Sequence, residues 1–251
     1  LGLNCDATQR EFTMKQAIII GASSGIGYEL AVQLAGLGYQ LGLMARREER
    51  LTELSDRLPG QHFVQVTDLI NADVARTQLA DLIKQMGDVE LIVVNSGVGS
   101  SEKKLDWTVE SQMIDVNVRG FTAMSMDAMN HFTQRGGGHL VGVSSIAAHF
   151  SGGLSLTYNA TKAFVSNYLN GMRSRASRSG LPITITTIEP GFIDTPMLES
   201  KPMGTVSVEK AVAQIIKAIT GKKDHAYITR RWTIIAGLFY ILPNWLIRKF
   251  V

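Results

Sequence analysis

The strongest constraint on the fold of this chain is a glycine-rich turn between an apolar strand and a helix. Residues 15–20 form a short run rich in branched apolar side chains, which predicts a buried strand. Residues 21–27 have the sequence Gly-Ala-Ser-Ser-Gly-Ile-Gly, and residues 28–35 predict a helix. The glycines allow a tight turn and a close approach of the backbone to a ligand, and the helix N-terminus favours a pyrophosphate. A purely structural turn is the competing interpretation, but the order of strand, glycines and helix favours nucleotide binding.

The rest of the chain continues this alternation of strands and helices. Strands are predicted near residues 16–20, 40–45, 62–66, 90–95, 139–144, 183–188 and 225–229. Helices are predicted near residues 25–36, 47–57, 71–86, 105–134, 157–179 and 207–220. This order predicts an α/β fold, a doubly wound parallel sheet (Rossmann fold) of about seven strands with helices on both faces. We expect one catalytic domain over residues 14–229, with ligands at the carboxyl ends of its strands.

Composition excludes several other classes of function. A net charge of +3 is too small to indicate a nucleic-acid partner. The single cysteine, Cys5, cannot form an internal disulfide and fits a reducing compartment, so we expect a cytoplasmic protein. The five histidines and this cysteine lack metal-ligand spacing, which predicts no metal site. Residues 1–13 lack the apolar core of a secretory signal and precede Met14, so we interpret them as a disordered leader or a remnant from outside the natural protein.

The end of the second predicted strand indicates which dinucleotide is bound. In this fold a carboxylate about twenty residues past the glycines binds the ribose of NAD, whereas an arginine accommodates the 2′-phosphate of NADP. Here Ala45 stands where the acid is expected, and Arg46 and Arg47 follow it. A guanidinium suits a phosphate, and Ser23 can add a hydroxyl donor. The sequence therefore favours NADP(H) over NAD(H), although one of the two arginines can also simply open the charged helix over residues 47–58.

A tyrosine and a lysine one helical turn apart are the candidate proton-transfer groups. Residues 158–162 have the sequence Tyr-Asn-Ala-Thr-Lys, so Tyr158 and Lys162 share a helix face, and Ser145 precedes the tyrosine by thirteen residues. An ammonium beside a phenol favours the phenolate and lowers its pKa, which lets Tyr158 exchange a proton with a substrate oxygen. Alone, such a pair is more often a solvated helix face, but the nucleotide-binding turn in the same chain favours the catalytic interpretation.

The chain resembles the short-chain dehydrogenase/reductase family from about Lys15 to Ile228. The motifs that carry the resemblance occur in the family's order and are the glycine turn, Asn95-Ser96-Gly97, Asn117, Ser145, Tyr158, Lys162 and Pro190-Gly191 through Thr195. The resemblance implies that Tyr158 donates or accepts the proton, and that Lys162 lowers its pKa and holds the nicotinamide ribose. It also implies that Ser145 orients and polarises the substrate carbonyl. Asn117, at a break in a long helix, would hold a water that links Lys162 to solvent.

By the same resemblance, further residues are expected to bind the cofactor. Asp68 would lie beside the adenine, and Ile188 and Thr195 would line the nicotinamide side. The expected cofactor-binding set is Gly21, Ser23, Ser24, Gly25, Ile26, Gly27, Arg46, Arg47, Asp68, Leu69, Asn95, Ser96, Gly97, Tyr158, Lys162, Pro190, Gly191, Ile193 and Thr195.

These observations favour an NADP(H)-dependent oxidoreductase that transfers a hydride between the nicotinamide and a carbonyl or alcohol substrate. A non-catalytic NADP(H)-binding sensor or scaffold is the alternative, but a sensor has no need of the proton relay that Ser145, Tyr158 and Lys162 would form. The resemblance further implies a homodimer or homotetramer assembled through the long helices predicted near residues 105–134 and 157–179.

Two segments allow more than one interpretation. Residues 196–206 are either a lid over the substrate or an ordinary surface connection. As a lid, this segment would present Met197, Leu198 and Met203 to the substrate and would favour an apolar one.

The second segment is the apolar C-terminal part of the chain, residues 230–251. Residues 232–247 are almost wholly apolar but are broken by a proline, and they fall short of the roughly 20 residues of a membrane span. Tryptophans near both ends and basic flanks are typical of a peripheral anchor, here at the inner face of the membrane. Burial as a lid or as an oligomer contact is the competing interpretation.

Overall fold

The structure is a computed structural model that describes residues 14–100, 104–150, 153, 155–198, 202, 204–229, 231–233 and 237. The strands are β1 (Gln16–Ile20), β2 (Gln40–Ala45), β3 (Phe63–Val66), β4 (Val89–Val94), β5 (Gly138–Val143), β6 (Ile183–Pro190) and β7 (His225–Ile228). The α-helices are α1 (Gly25–Gly36), α2 (Glu48–Arg57), α3 (Ala72–Met86), α4 (Trp107–Ile114), α5 (Phe121–Arg135), α6 (Leu156–Ser179) and α7 (Val208–Thr220). A π-helical turn, Asp115–Gly120, joins α4 to α5, and a 3-10 turn, Ile146–His149, follows β5.

The seven strands form one parallel sheet in the order β3-β2-β1-β4-β5-β6-β7. The chain winds outward from β1 in one direction and from β4 in the other, which creates a crevice at their carboxyl ends. The predicted doubly wound parallel sheet is therefore confirmed, and the crevice is where this fold binds ligands.

Both faces of the sheet are covered at its central strands, which explains why β1, β2, β4 and β5 are apolar without alternation. In β1, Ala17 and Ile19 pack with residues of α1, α2 and α7, whereas Ile18 and Ile20 pack with residues of α3, α5 and α6. Consecutive residues of a strand point to opposite faces, so each face of the sheet receives its own apolar core.

The predicted helix near residues 105–134 is interrupted in the structure. The π-helical turn Asp115–Gly120 lies between α4 and α5 and contains Asn117. At Gly120, an added Cβ would meet the Leu69 Cβ at 2.7 Å, so the absence of a side chain lets this turn approach the loop after β3. The break that the family resemblance implies at Asn117 is thus present.

Several expectations concern residues outside the described ranges. The segment 1–13 and nearly all of 230–251 lie there, so the division into leader, catalytic domain and C-terminal segment stays a prediction. Met203 also lies outside. Within the described ranges, no helix combines the length and apolarity needed to cross a membrane.

Candidate active site

A cavity of about 640 Å³ opens at the carboxyl ends of the strands, in the crevice beside β1 and β4. Loops that follow β1 to β6 line it, together with the N-terminal part of α6. The residues expected from the sequence that line it are Gly21, Ser23, Ser24, Gly25, Ile26, Arg46, Arg47, Asp68, Leu69, Asn95, Ser96, Gly97, Ser145, Tyr158, Lys162, Pro190, Gly191, Ile193 and Thr195. The topology of the sheet therefore brings together residues that are up to 174 positions apart, from Gly21 to Thr195.

The glycine turn after β1 is held tightly against its neighbours. Gly21 has a φ of +95°, and a Cβ there would lie 2.7 Å from the Ser96 backbone nitrogen. The Gly21 N–H donates to the Met44 carbonyl at 2.7 Å, and Asn95 Nδ2 donates to the Gly21 carbonyl at 3.0 Å. A residue with a side chain does not fit at position 21. Glycine is required there because the backbone approaches Ser96 closely and because φ is positive.

Arg47, directly before α2, reaches back to the glycine turn. Its guanidinium donates to Ser23 Oγ and to Ser24 Oγ, both at 2.9 Å. Ser24 precedes the first residue of α1 and makes no side-chain cap on that helix. A cationic group and the first turn of a helix thus border the same part of the cavity, which is an arrangement that favours a phosphate.

Ser145 and Tyr158 both line the cavity. Ser145 follows β5, and its Oγ accepts from the Ala147 N–H at 3.1 Å in the 3-10 turn. Tyr158 lies in the first turns of α6. Burial raises the pKa of Tyr158, whereas its hydrogen bond with Ser145 lowers it.

Lys162 is buried one turn further along α6. Its Nζ lies 5.7 Å from the centroid of the Tyr158 ring and donates to the Val143 carbonyl at 3.0 Å. Burial lowers the pKa of Lys162 to about 8.

The net direction of the Tyr158 pKa differs from the sequence expectation. We expected Lys162 to lower it, but burial, which disfavours the charged phenolate, is the largest effect and raises the pKa. The physical reason lies in the geometry, because the Lys162 ammonium is directed to the Val143 carbonyl at the end of β5.

Three expected residues support the cavity without lining it. A Cβ on Gly27 would collide with the Gly21 carbonyl, so Gly27 allows α1 to pack against the turn. Ile188 is fully buried in the core on one face of the sheet and does not line the cavity, so its expected place on the nicotinamide side stays a prediction. Asn117 is also buried, and its carboxamide holds the loop after β4 by accepting from the Val98 N–H at 2.9 Å and donating to the Val98 carbonyl at 2.7 Å.

Sequence reasoning missed part of the cavity wall. Phe150 and Phe192 line it, as do Met197 and Leu198, and these four side chains add apolar surface to the cavity. Asn159, the neighbour of Tyr158, donates to the Phe150 carbonyl at 3.0 Å and so fixes that loop. The only signal for Asn159 was its position between the tyrosine and the lysine.

The start of the C-terminal segment packs beside this apolar wall. The Trp232 ring meets the Phe192 ring edge-on, with 5.4 Å between centroids. Gly191 lies against the Trp232 indole so closely that a Cβ would collide with it. At Trp232 the segment thus contacts the protein, while Trp232 itself is half-buried and its neighbours Arg231 and Thr233 are exposed.

The sequence of residues 15–204 matches the short chain dehydrogenase family. An uncharacterised oxidoreductase of Mycobacterium tuberculosis is 32% identical over 255 residues, which covers 95% of this chain and 98% of that protein. The chain belongs to the short-chain dehydrogenase family. The resemblance identified from the motifs is therefore confirmed, and with it the assignment to an oxidoreductase family.

Solved structures share the fold of this short-chain dehydrogenase. A short-chain dehydrogenase/reductase from Burkholderia phymatum in complex with NAD has a TM-score of 0.82 at 21% identity, covering 91% of this chain and 93% of that chain. A short-chain dehydrogenase from Sphingobium yanoikuyae in complex with NADPH has a TM-score of 0.80 at 22% identity, covering 89% and 93%. At this identity the likeness establishes the fold alone.

Proposed function

We propose that this short-chain dehydrogenase is an NADP(H)-dependent oxidoreductase that interconverts a carbonyl and an alcohol, with Tyr158 as its general acid or base. The observation that carries the proposal is that Tyr158 and Ser145, whose interaction lowers the tyrosine pKa, line the same cavity as the glycine turn. A proton donor and a nucleotide site are thereby combined in one cleft, as hydride transfer to a carbonyl requires.

The residues present fit a nicotinamide dinucleotide. The glycine turn places the N-terminus of α1 at the cavity, where the pyrophosphate would be held. Gly97 belongs to the same wall, and a Cβ there would lie 3.2 Å from Lys162 Nζ, so the glycine keeps the lysine accessible from the loop after β4. Asp68 would border the adenosine end, and Lys162 with Thr195 the nicotinamide end. When bound, the cofactor supplies or accepts the hydride.

Each group of the chain then has a separate task. Ser145 orients the substrate oxygen by a hydrogen bond, and Tyr158 donates a proton to that oxygen during reduction or removes it during oxidation. Because burial raises the pKa of Tyr158, the phenol is held protonated, which suits the reducing direction at neutral pH. With a pKa of about 8, Lys162 stays cationic at neutral pH and contributes positive charge next to the phenol.

Arg47 supports the preference for NADP(H). Its guanidinium is fixed beside the glycine turn by Ser23 and Ser24, and no carboxylate stands at Ala45 to bind a ribose hydroxyl. A positioned guanidinium with free N–H donors matches a 2′-phosphate.

The apolar wall formed by Phe150, Phe192, Met197 and Leu198 favours an apolar substrate. We retain three further predictions for the intact protein: a cytoplasmic location, a homodimer or homotetramer, and peripheral membrane contact or burial of residues 232–247.

The substitution Tyr158→Phe tests the proposal. It removes one hydroxyl and keeps the ring, so turnover with a carbonyl substrate should fall by about 100-fold or more, while NADPH binding should persist. The measurement is NADPH oxidation by absorbance across a panel of apolar ketones and aldehydes, with NADPH affinity from fluorescence. Undiminished turnover would refute the role of Tyr158. NADPH binding by the unaltered protein without turnover on any panel member would instead favour a sensor.

A further inference from the structure

We propose that Glu189 is a positioning residue for the reaction. It acts through a buried cluster of hydrogen bonds that holds the 3-10 turn after Ser145 in a fixed position relative to helix α6. This inference rests on the proposed function. It concerns a carboxylate that does not line the cavity and that the mechanism above does not use.

Glu189 is a buried anion at the carboxyl end of β6, next to the cavity-lining residue Pro190. It is the penultimate residue of β6, directly before Pro190, and its side chain is 1% exposed. A buried carboxylate is costly unless hydrogen-bond donors surround it. Three donors do so here: Ser166 Oγ lies 2.6 Å from Oε1, and His149 Nε2 and His225 Nε2 lie 2.5 and 3.2 Å from Oε2.

Together, these hydrogen bonds lower the pKa of Glu189 by more than burial raises it. Burial alone raises the pKa of Glu189, but the hydrogen bonds with His149, His225 and Ser166 lower it to about 2. The carboxylate is therefore charged at neutral pH.

Each donor comes from a different element of the site. His149 ends the 3-10 turn that begins directly after Ser145. Ser166 lies on α6, one turn beyond Lys162, and His225 is the first residue of β7. The Glu189 carboxylate, at the end of β6, thus joins the 3-10 turn after Ser145, the helix of the tyrosine and the lysine, and β7.

A second path runs from the carboxylate to the neighbour of Ser145. The Ser144 hydroxyl lies 2.8 Å from both Ser166 Oγ and the Lys162 backbone carbonyl oxygen, and because the Ser166 proton is donated to Glu189, the single Ser144 proton serves one of these two oxygens at a time. Since Ser144 adjoins Ser145 and Lys162 lies one helical turn after Tyr158, these contacts tie the residue before Ser145 to the helix that carries Tyr158.

Stability alone gives a poor account of this cluster. Replacing a buried ionic cluster by apolar residues of similar volume is often neutral or stabilising. What an apolar cluster does not provide is a set of directed contacts that fixes three elements at once. The geometry therefore points to positioning of Ser145 against Tyr158.

The test uses Glu189→Gln and Ser166→Ala, with Ser174→Ala as the matched control. Ser174 lies on the same helix but is exposed, and its hydroxyl donates to the Asn170 carbonyl. Steady-state kinetics are measured well below the melting temperature of each variant. We expect kcat to fall about tenfold or more in the two cluster variants, because small misplacements of reacting groups are costly, with the KM for NADPH unchanged. Ser174→Ala should match the wild type.

A second readout does not depend on turnover. The chain has six tyrosines, and the ring ¹³C resonance of Tyr158 in tyrosine-labelled protein is assigned by its loss in Tyr158→Phe. This resonance reports the hydrogen bond with Ser145, so it should move in both cluster variants and stay in place in Ser174→Ala.

The outcomes separate the two proposals. A lower melting temperature with wild-type kcat, or a lower kcat with an unmoved Tyr158 resonance, would overturn the positioning role. If the unaltered protein turns over no carbonyl, the proposed function fails, and the Tyr158 resonance alone then decides whether Glu189 positions the pair.

Discussion

The guanidinium of Arg47 is held in a fixed position by the protein itself. Two serine hydroxyls of the glycine turn accept its hydrogen bonds, so the guanidinium is held in place before any phosphate arrives. Preorganisation of this kind lowers the entropic cost of binding. The arginine is therefore suited to discriminate NADPH from NADH.

The substitution Arg47→Ala should weaken NADPH binding by about 10- to 100-fold, the range expected for hydrogen bonds to a charged group. NADH binding should change little, because it has no 2′-phosphate. Arg50→Ala is the matched control, since Arg50 lies on α2 and pairs with Glu53 on the exposed face. Affinities from fluorescence titration check this, and equal losses for both dinucleotides would contradict the assignment of Arg47.

For individual residues, the sequence predicted which residues belong to the site better than it predicted their contacts. Helical spacing was enough to place Tyr158 and Lys162 on one face. The bond from Lys162 Nζ to the Val143 carbonyl depends on how α6 packs against the end of β5, and no local pattern encodes that distance. The direction of the Tyr158 pKa depends on burial and was for the same reason not predictable.

Among the structural elements, three segments are linked by hydrogen bonds of Asn117. Its carboxamide exchanges two hydrogen bonds with the Val98 backbone in the loop after β4 and donates to Thr161 Oγ1 on α6 at 3.1 Å. Thr161 Oγ1 donates to the Tyr158 carbonyl at 2.8 Å. The interrupted helix therefore positions both the loop beside the cavity and the helix of the tyrosine.

The substitution Asn117→Ala should lower the free energy of unfolding by about 2–4 kcal/mol, because it leaves the Val98 N–H and carbonyl without their partner. Thr161→Val should cost less, since it keeps both bonds between Asn117 and Val98. Urea denaturation of the two variants provides the comparison. An equal cost would show that the contact with Val98 contributes nothing beyond the contact with Thr161.

The elements themselves were largely predictable, but their interruptions were not. Apolar runs and glycines indicated the strands, because the central strands, which are covered on both faces, need no polar alternation. In the edge strand β3, by contrast, Val64 and Val66 are exposed. The region near residues 105–134 has continuous helical character, and only the family resemblance implied a break at Asn117. The Glu189 cluster had one weak local signal, an acid inside an apolar strand, whereas its partners His149, Ser166 and His225 come from elements distant in sequence.

At the scale of the whole molecule, a buried histidine makes stability depend on pH. His139 lies in β5, is 8% exposed and has Nε2 2.7 Å from Thr186 Oγ1. Burial, together with the charge of Lys222, lowers the pKa of His139 to about 4 from its usual 6.5. The unfolded chain therefore binds a proton more readily, and stability present above pH 6.5 is lost as the pH falls toward 4.

From this residue we expect about 2 kcal/mol less stability at pH 5 than at pH 7. The Glu189 pKa of about 2 confines its own stability loss to a lower window, below its usual value of 4.5. His139→Gln should therefore flatten the dependence between pH 7 and pH 5, as measured by urea denaturation at both pH values. His62→Gln is a control at a less buried histidine and should flatten it less. A dependence unaltered in His139→Gln would place the acid sensitivity elsewhere.

The most direct test of the whole account follows the hydride itself. The protein is incubated with NADPH that carries deuterium at the nicotinamide C4 and with the apolar carbonyl panel, and the products are analysed by mass spectrometry. We expect an alcohol that carries one deuterium on the former carbonyl carbon, with its hydroxyl proton drawn from solvent through Tyr158. Tight NADPH binding without deuterated product from any carbonyl would contradict this expectation.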